Sequence, residues 1–297
     1  MVHDVIIIGG SYAGLSAGLP LARARRKVLV IDAGVRRNRF AAAAHGLLAH
    51  DGTPPGEIVA EGRAQLMEYP TVEWVAGEVA QARRSAEGFE VRLKQGAVHR
   101  ARRLVLAGGV QDELPALPGL AERWGSSVFH CPYCHGYELQ QRPVGVLACA
   151  EASLHQALML PDWAPTTFFL DGRPLPDADA LAQLRARGVA LEPGPVARLA
   201  GDGEGLQLLL QDGRAFTLSG LFVAARTRPG PLAAELGCAL EESPLGHFVR
   251  TDAMKATSVP GVFACGDLAR AAGSVPLAVG DGAIAGAAAH RSLMFGL

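Results

Sequence analysis

Short, wholly apolar runs alternate along the chain with longer segments of mixed character. The most regular unit comes first. Val5-Ile6-Ile7-Ile8 is continuously apolar, as a parallel strand buried on both faces requires. The turn Gly9-Gly10-Ser11-Tyr12-Ala13-Gly14 follows, and an Ala- and Leu-rich segment to about Arg25 reads as a helix, kinked or shortened at Pro20. Val28-Leu29-Val30-Ile31 is a second buried strand and ends in Asp32. A strand, a Gly-rich turn, a helix, a strand and an acid within about 30 residues are the parts of a dinucleotide-binding unit. The turn brings backbone amides to a pyrophosphate, and the carboxylate takes a ribose hydroxyl. Ser11 stands where that pattern wants glycine. It adds a Cβ, but also a hydroxyl able to bond phosphate.

The pattern then loosens. Residues 36–54 read as a loop around a short apolar piece, with a helix from about Gly56 to Met67 behind Pro54-Pro55. Its histidines, His45 and His50, read individually as surface residues. Thr71 to Ala76 is a strand leading into Gly77-Glu78-Val79. Gly88 to Leu93 and Ala97 to Arg102 form a hairpin, and Arg103 to Ala107 returns as a strand to Gly108-Gly109. Pro115 and Pro118 mark a crossing between domains. Beyond them the pattern repeats: strand Val144–Leu147, helix Ala152–Leu160, strand Thr166–Leu170, helix Ala178–Arg187, a hairpin over 206–218 and a closing strand 221–225. The final part adds a strand at His247–Arg250, a strand Gly261–Asp267 ending in Gly266-Asp267, and a helix rich in Ala and Gly from Ala278 to about Phe295.

The second copy lacks the phosphate-cradling glycines. Ala148-Cys149-Ala150-Glu151-Ala152-Ser153 occupies that turn, and Glu151 places a negative charge where a phosphate would sit. Composition narrows the function classes. The 297 residues suffice for two domains, 49% are hydrophobic, and the net charge of -1 speaks against nucleic acid or an anionic membrane surface as partner. No apolar run approaches the roughly 20 residues of a membrane helix, and no basic segment precedes the first strand, so a cytoplasmic protein is expected.

The chemistry concentrates in His130-Cys131-Pro132-Tyr133-Cys134-His135-Gly136-Tyr137-Glu138. Cysteines two residues apart can close a small, reducible ring, and such a pair tends to carry a thiol of lowered pKa. His135 can take or give a proton near neutral pH. The pair also reads as half a zinc site, a structural disulfide or two idle thiols. Cys149, Cys238 and Cys265 stand alone, however, and offer no second ligand pair.

Taken together, these pieces resemble the low-molecular-weight thioredoxin reductase family of FAD-dependent disulfide oxidoreductases. The motifs are the Gly9–Gly14 turn with Asp32, Leu106-Ala107-Gly108-Gly109, the Cys131–Cys134 pair opening the second domain, and Gly261–Asp267 before a small-residue helix. The chain is most similar to the branch of dithiol oxidases of gliotoxin and holomycin type. There His135-Gly136-Tyr137-Glu138 replaces the aspartate that reductases carry after the second cysteine, and Arg37-Asn38 and His45…Asp51-Gly52 match as well. The chain departs from reductases in lacking their second-domain Gly-x-Gly-x-x-Ala and arginine-rich NADP element, and in carrying about Gly273-Ser274-Val275 where they have Arg-Gln-Ala.

The resemblance implies an α/β fold of two Rossmann-like, three-layer ββα nucleotide-binding domains, the second inserted in the first. An FAD domain would span 1–112 and 246–297, and an inserted domain with a degenerate NADPH-like site 113–245. FAD would contact Gly9, Gly10, Ser11, Tyr12, Ala13, Gly14, Asp32, Arg37, Asn38, Asp51, Val79, Gly108, Gly109, Gly266, Asp267, Ser274 and Val275. No metal is expected. Cys134 would face the flavin, Cys131 would exchange with a small dithiol or disulfide, or with a thioredoxin-like protein, and His135 would carry the proton. Oxygen or another acceptor would reoxidise the flavin, and a homodimer is expected. Two rival readings are a thioredoxin reductase fed by NADPH or ferredoxin, and a flavin-bound redox sensor acting through partner binding.

Overall fold

The computed structural model describes residues 2–201 and 205–296; Met1 lies outside that range. Two compact units emerge. Met1–Arg39, Leu47–Gln111 and Thr227–Leu297 make the first, and Phe40–Gly46 with Asp112–Arg226 the second.

In the first unit the chain runs through β1 (Val2–Ile8), α1 (Tyr12–Arg23), β2 (Val28–Asp32), α2 (Pro55–Met67), β3 (Val72–Ala76), β4 (Val79–Ser85), β5 (Gly88–Leu93), β6 (Val98–Leu106) and β7 (Val110–Glu113). The sheet order is β3-β2-β1-β6-β5-β4. The first four strands are parallel, and β5 and β4 continue antiparallel. Alternate residues of the parallel strands feed two cores. Val5, Ile7, Val28, Val30 and Val105 pack on the side of α1, while Ile6, Ile8, Leu29, Ile31, Leu104 and Leu106 pack with Phe89, Val91 and Leu93. This two-sided burial is what the unbroken apolar runs foretold. Helix α1 passes through Pro20 to Arg23 and is not shortened there.

The second unit contains β8 (Val128–Phe129), the one-turn helix α3 (Pro132–His135), β9 (Val144–Leu147), α4 (Ala152–Met159), β10 (Thr166–Phe169), α5 (Ala178–Ala186), β11 (Ala190–Glu192), β12 (Val196–Ala200), β13 (Leu206–Leu210), β14 (Ala215–Leu218) and β15 (Gly220–Val223). Strands β11-β10-β9-β15-β8 form a parallel sheet, and β12-β13-β14 an antiparallel one. Leu147, Phe169, Leu221 and Val223 of the first sheet pack against Leu206, Leu208, Leu210 and Leu218 of the second. On the other face Val144, Val146 and Phe168 meet Ala157, Leu160 and Leu184 from the helical side. The three layers expected of the repeat are present.

The chain then returns to the first unit through β16 (Arg226–Pro229), α6 (Leu232–Glu235), β17 (Leu240–Ser243), β18 (Gly246–Val249), β19 (Val262–Ala264) and α7 (Val275–Phe295). Strand β6 is a single strand where the sequence suggested a hairpin arm and a separate strand. Its first half pairs with β5 and its second half with β19, so one strand serves both partners. Helix α7 lies directly on α1. A Cβ at Gly282 would strike the Ala13 carbonyl, and one at Gly286 the Ala17 carbonyl, so only glycine permits this approach. Ser16 seals the contact by donating its hydroxyl to the Val279 carbonyl at 2.6 Å.

Candidate active site

Two clusters of site residues form, one in each unit. In the first unit, the Gly9–Gly14 turn joins the end of β1 to α1. Gly9 has φ +106°, a conformation costly for any side chain, and a Cβ there would strike the Ala107 carbonyl. A Cβ at Gly10 would meet Trp74 and the Asp32 side chain, and the Gly10 amide donates to Asp32 Oδ1 at 3.0 Å. Ser11 sits at φ -94° and ψ -163°, extended backbone that any residue adopts, so its replacement of glycine brings no strain. Its hydroxyl makes no capping bond to α1. Gly108 and Gly109 each leave open space where a Cβ would stand, and Gly109 has φ +66°. A cradle thus remains around the ends of β1 and β6, shaped for a group that needs backbone close by. Glycine turns of this kind at a helix start suit a diphosphate.

The 36–39 segment is tied to this turn. Asn38 donates to the Tyr12 hydroxyl at 3.0 Å, and Arg37 pairs with Asp267 at 2.9 Å. Burial pushes the Tyr12 phenol up, against the smaller pull of Asn38 and Arg36. Ser274 caps α7, accepting from the Leu277 amide, and Val275 is the first helical residue, so the helix begins three residues earlier than the sequence suggested. Asp51 stands exposed in the loop before α2. Val79 opens β4 and packs with the Phe89 core. A cavity of about 480 Å³ opens beside Asp32, its wall including Arg36, Arg63 and Trp74, none of which the sequence reading singled out. The Arg63 guanidinium lies 4.3 Å from the Trp74 ring centroid, a cation–π contact.

In the second unit, Cys131 and Cys134 are joined as a disulfide, with Cα atoms 5.3 Å apart. Cys131 precedes α3, and Cys134 lies within it. Both sulfur-bearing residues are half-buried, while Tyr133 and Tyr137 beside them are 73% and 85% exposed. His135 stacks on Phe129 with centroids 4.4 Å apart. Burial pushes the His135 imidazole below its ordinary value, reinforced by His45 and opposed by Glu138. At neutral pH it is therefore the neutral ring, ready to accept a proton. His45 pairs with Glu138 at 3.3 Å, with its side chain 21% exposed. It is thus a half-buried neighbour of the redox helix and not the surface residue the sequence suggested. The remaining thiols differ from the pair. Cys265 is fully buried and its thiol is pushed up to about 12, and burial also raises Cys149 and Cys238. Among the described residues, no three His, Cys, Asp or Glu side chains are placed to hold a metal ion.

The turn between β9 and α4 has its own occupant. The buried Ser153 hydroxyl accepts from the Cys149 amide and from the Ala150 amide, each at 3.1 Å. Two donors that a dinucleotide turn would aim at phosphate are already engaged within the chain. The exposed Glu151 stands at the start of α4.

Comparison with known proteins agrees with this geometry. The profile of the pyridine nucleotide-disulphide oxidoreductase family matches residues 3–282. The chain belongs to that family. It is 34% identical to the thioredoxin reductase tcpT of Claviceps purpurea over 310 residues, covering 99% of this chain and 95% of that one. It is 32% identical to the thioredoxin reductase aclD of Aspergillus oryzae, covering 99% and 97%. Among solved structures, an oxidoreductase from Agrobacterium tumefaciens is 56% identical with a TM-score of 0.96, covering 99% of each chain. HlmI is 38% identical with a TM-score of 0.92, covering 99% of this chain and 93% of that one. Within the family the chain is a thioredoxin reductase-like, flavin-dependent disulfide oxidoreductase. No described helix is long and apolar enough to cross a membrane.

Proposed function

We propose that this enzyme oxidises a small dithiol to a disulfide through Cys131–Cys134, with FAD held by the first unit and without a working nicotinamide site. The observation that carries this reading is the pairing of a redox-ready disulfide with a second-unit turn whose amides are taken by Ser153.

Gly9 to Gly14 would hold the FAD diphosphate, Asp32 a ribose, and Gly108, Gly109, Gly266, Asp267, Ser274 and Val275 the remainder, with Arg37 and Asn38 bracing the turn. Tyr12, Ala13, Asp51 and Val79 complete the proposed set. Bound there, FAD supplies a two-electron acceptor for the enzyme dithiol. The chain's own residues perform the exchange. A substrate thiolate attacks Cys131 Sγ, the Cys131–Cys134 bond breaks, and Cys134 leaves as thiolate. The second substrate thiolate attacks its own partner sulfur and releases Cys131. The substrate leaves as a disulfide, two electrons poorer, and the enzyme pair is reduced. The neutral His135 accepts a thiol proton as the nucleophile forms. The exposed flanks at Tyr133 and Tyr137 leave the pair open to a ligand.

The division into a cofactor domain (1–112 and 246–297) and an insert (113–245), a homodimeric assembly and a cytoplasmic location form part of this proposal; the compact units differ from that division in placing 227–245 with the first unit and 40–46 with the second. Light scattering tests the assembly. The deciding experiment is anaerobic mixing of the FAD-loaded protein with NADPH and, separately, with dithiothreitol, while flavin absorbance is followed. Dithiothreitol is expected to bleach the flavin and NADPH to leave it yellow. Rapid bleaching by NADPH would reverse the direction of electron flow and favour the reductase reading.

A further inference from the structure

We infer that Gln156 is the positioning residue for Cys131. This rests on the reading that Cys131 exchanges with substrate. Gln156 lies on α4, is 7% exposed, and donates its Nε2 to the His130 carbonyl at 2.6 Å. That carbonyl belongs to the peptide bond immediately before Cys131. The peptide is planar, so holding its oxygen restrains the Cys131 nitrogen and Cα, which move with it as one rigid unit. On the other side, Pro132 offers no N–H, and the Cys131 carbonyl accepts only at 3.2 Å from Cys134. Between the end of β8 and the redox helix, a short side-chain bond from α4 thus braces the peptide that carries Cys131.

The surroundings show that this amide is not simply filling space. Its neighbours include Ala157 on α4 and Leu160 just past the helix end, both fully buried in an apolar core. Its own Oε1 is buried with no hydrogen-bond partner among the described residues. A buried acceptor left unmade is destabilising, and an apolar side chain of similar size would avoid it. What the amide gives in return is the bond to His130. Loosening that bond lets the peptide before Cys131 rotate and moves Sγ away from the line of attack, and small misplacements of a reacting atom are expensive in rate.

The test uses the FAD-loaded full chain with Gln156→Leu and Gln156→Glu. Dithiothreitol-driven flavin bleaching and the rate of Cys131 alkylation by iodoacetamide in the reduced protein are measured against pH. Peptide mass spectrometry distinguishes Cys131 from Cys134. Gln156→Leu is expected to slow bleaching about tenfold, with flavin content and thermal midpoint close to those of the parent. Gln156→Glu can donate to the carbonyl only when protonated. It is expected to react at nearly the parental rate at low pH and to lose rate as its carboxyl ionises, a limb absent from the parent profile. That limb decides the matter even if Gln156→Leu fails to fold. Parental rates and pH profile in Gln156→Glu would overturn the assignment while leaving the Cys131 reading intact. Alkylation and mixed-disulfide trapping at Cys134 in the unmodified protein would overturn both.

Discussion

Asp281 is the most demanding test of the physical account of the first unit. Its carboxylate is 1% exposed on α7, within a helix otherwise rich in Ala and Gly. Arg270 holds it through two bonds at 2.6 and 2.8 Å, and Lys255 through one at 2.9 Å. Burial is the largest single influence on this group and raises its pKa. The bonds and charges of Arg270 and Lys255 together outweigh it, so the folded carboxyl lies below the ordinary aspartate range. Asp281→Asn removes the anion and leaves two cations facing a neutral amide. Breaking a buried pair from one side costs about 3–5 kcal/mol. The Arg270 side chain is 32% exposed, so water softens the loss and the lower end, about 3 kcal/mol, applies. At about 2–4 °C per kcal/mol, the melting midpoint should fall by roughly 6–12 °C. The assay is thermal unfolding of the FAD-loaded protein followed by circular dichroism at pH 7. A group whose folded pKa is depressed contributes stability above its unfolded value, near pH 4, and loses it as pH falls through the folded value. The gap between parent and variant should therefore narrow below about pH 4. Asp281→Asn with Lys255→Met should recover part of the loss by removing one uncompensated charge. A midpoint loss under about 2 °C, or a double variant no better than the single one, would refute the reasoning.

Three further outcomes follow from the redox helix and the residue just beyond it. Cys134→Ala should abolish flavin bleaching by dithiothreitol under anaerobic conditions, and a variant that bleaches at the parental rate would remove Cys134 from electron transfer. Glu138→Gln takes away the one charge that raises the His135 pKa, so the acidic limb of the turnover profile should move to lower pH, whereas His135→Ala should slow turnover with FAD still bound. An acidic limb that stays in place in Glu138→Gln and in His135→Ala would exclude His135 as the proton carrier.

The central parallel strands of both units were legible because burial on two faces demands unbroken apolar runs, and Val5–Ile8, Val28–Ile31 and Val144–Leu147 supply them; the two-residue parallel strand β8 was too short to show. Strand β4 was not legible, since Val79–Ser85 shows only Ala82 fully to the core and presents charge elsewhere. Strand β12 escaped for a related reason: Val196–Ala200 is a half-buried edge with a bulge and little alternation. Strand β6 was cut in two by Arg102 and Arg103, two adjacent charges in an otherwise continuous strand: Arg102 is exposed, while Arg103 turns to α7 and donates to Ser292. The Cys pair and the glycine turn were visible because their chemistry depends on local spacing. Gln156 and the Arg270–Asp281–Lys255 cluster depend on contacts between segments apart in sequence, and no local pattern announces those, whereas Ser153 closes its turn from three and four residues away. Asp281 did leave one trace, as a lone acid on a helix of small residues.

The seam between α1 and α7 imposes an order on biosynthesis. Ser16 and Val279 are separated by 263 positions, yet their contact closes the helix that follows the first glycine turn. At about 5–20 residues per second, a ribosome needs roughly 15–50 s between making one side of the seam and the other. The long stretch 112–226 emerges meanwhile and can collapse on its own contacts. The first strand and helix therefore gain their α7 contact only after that later helix has been made.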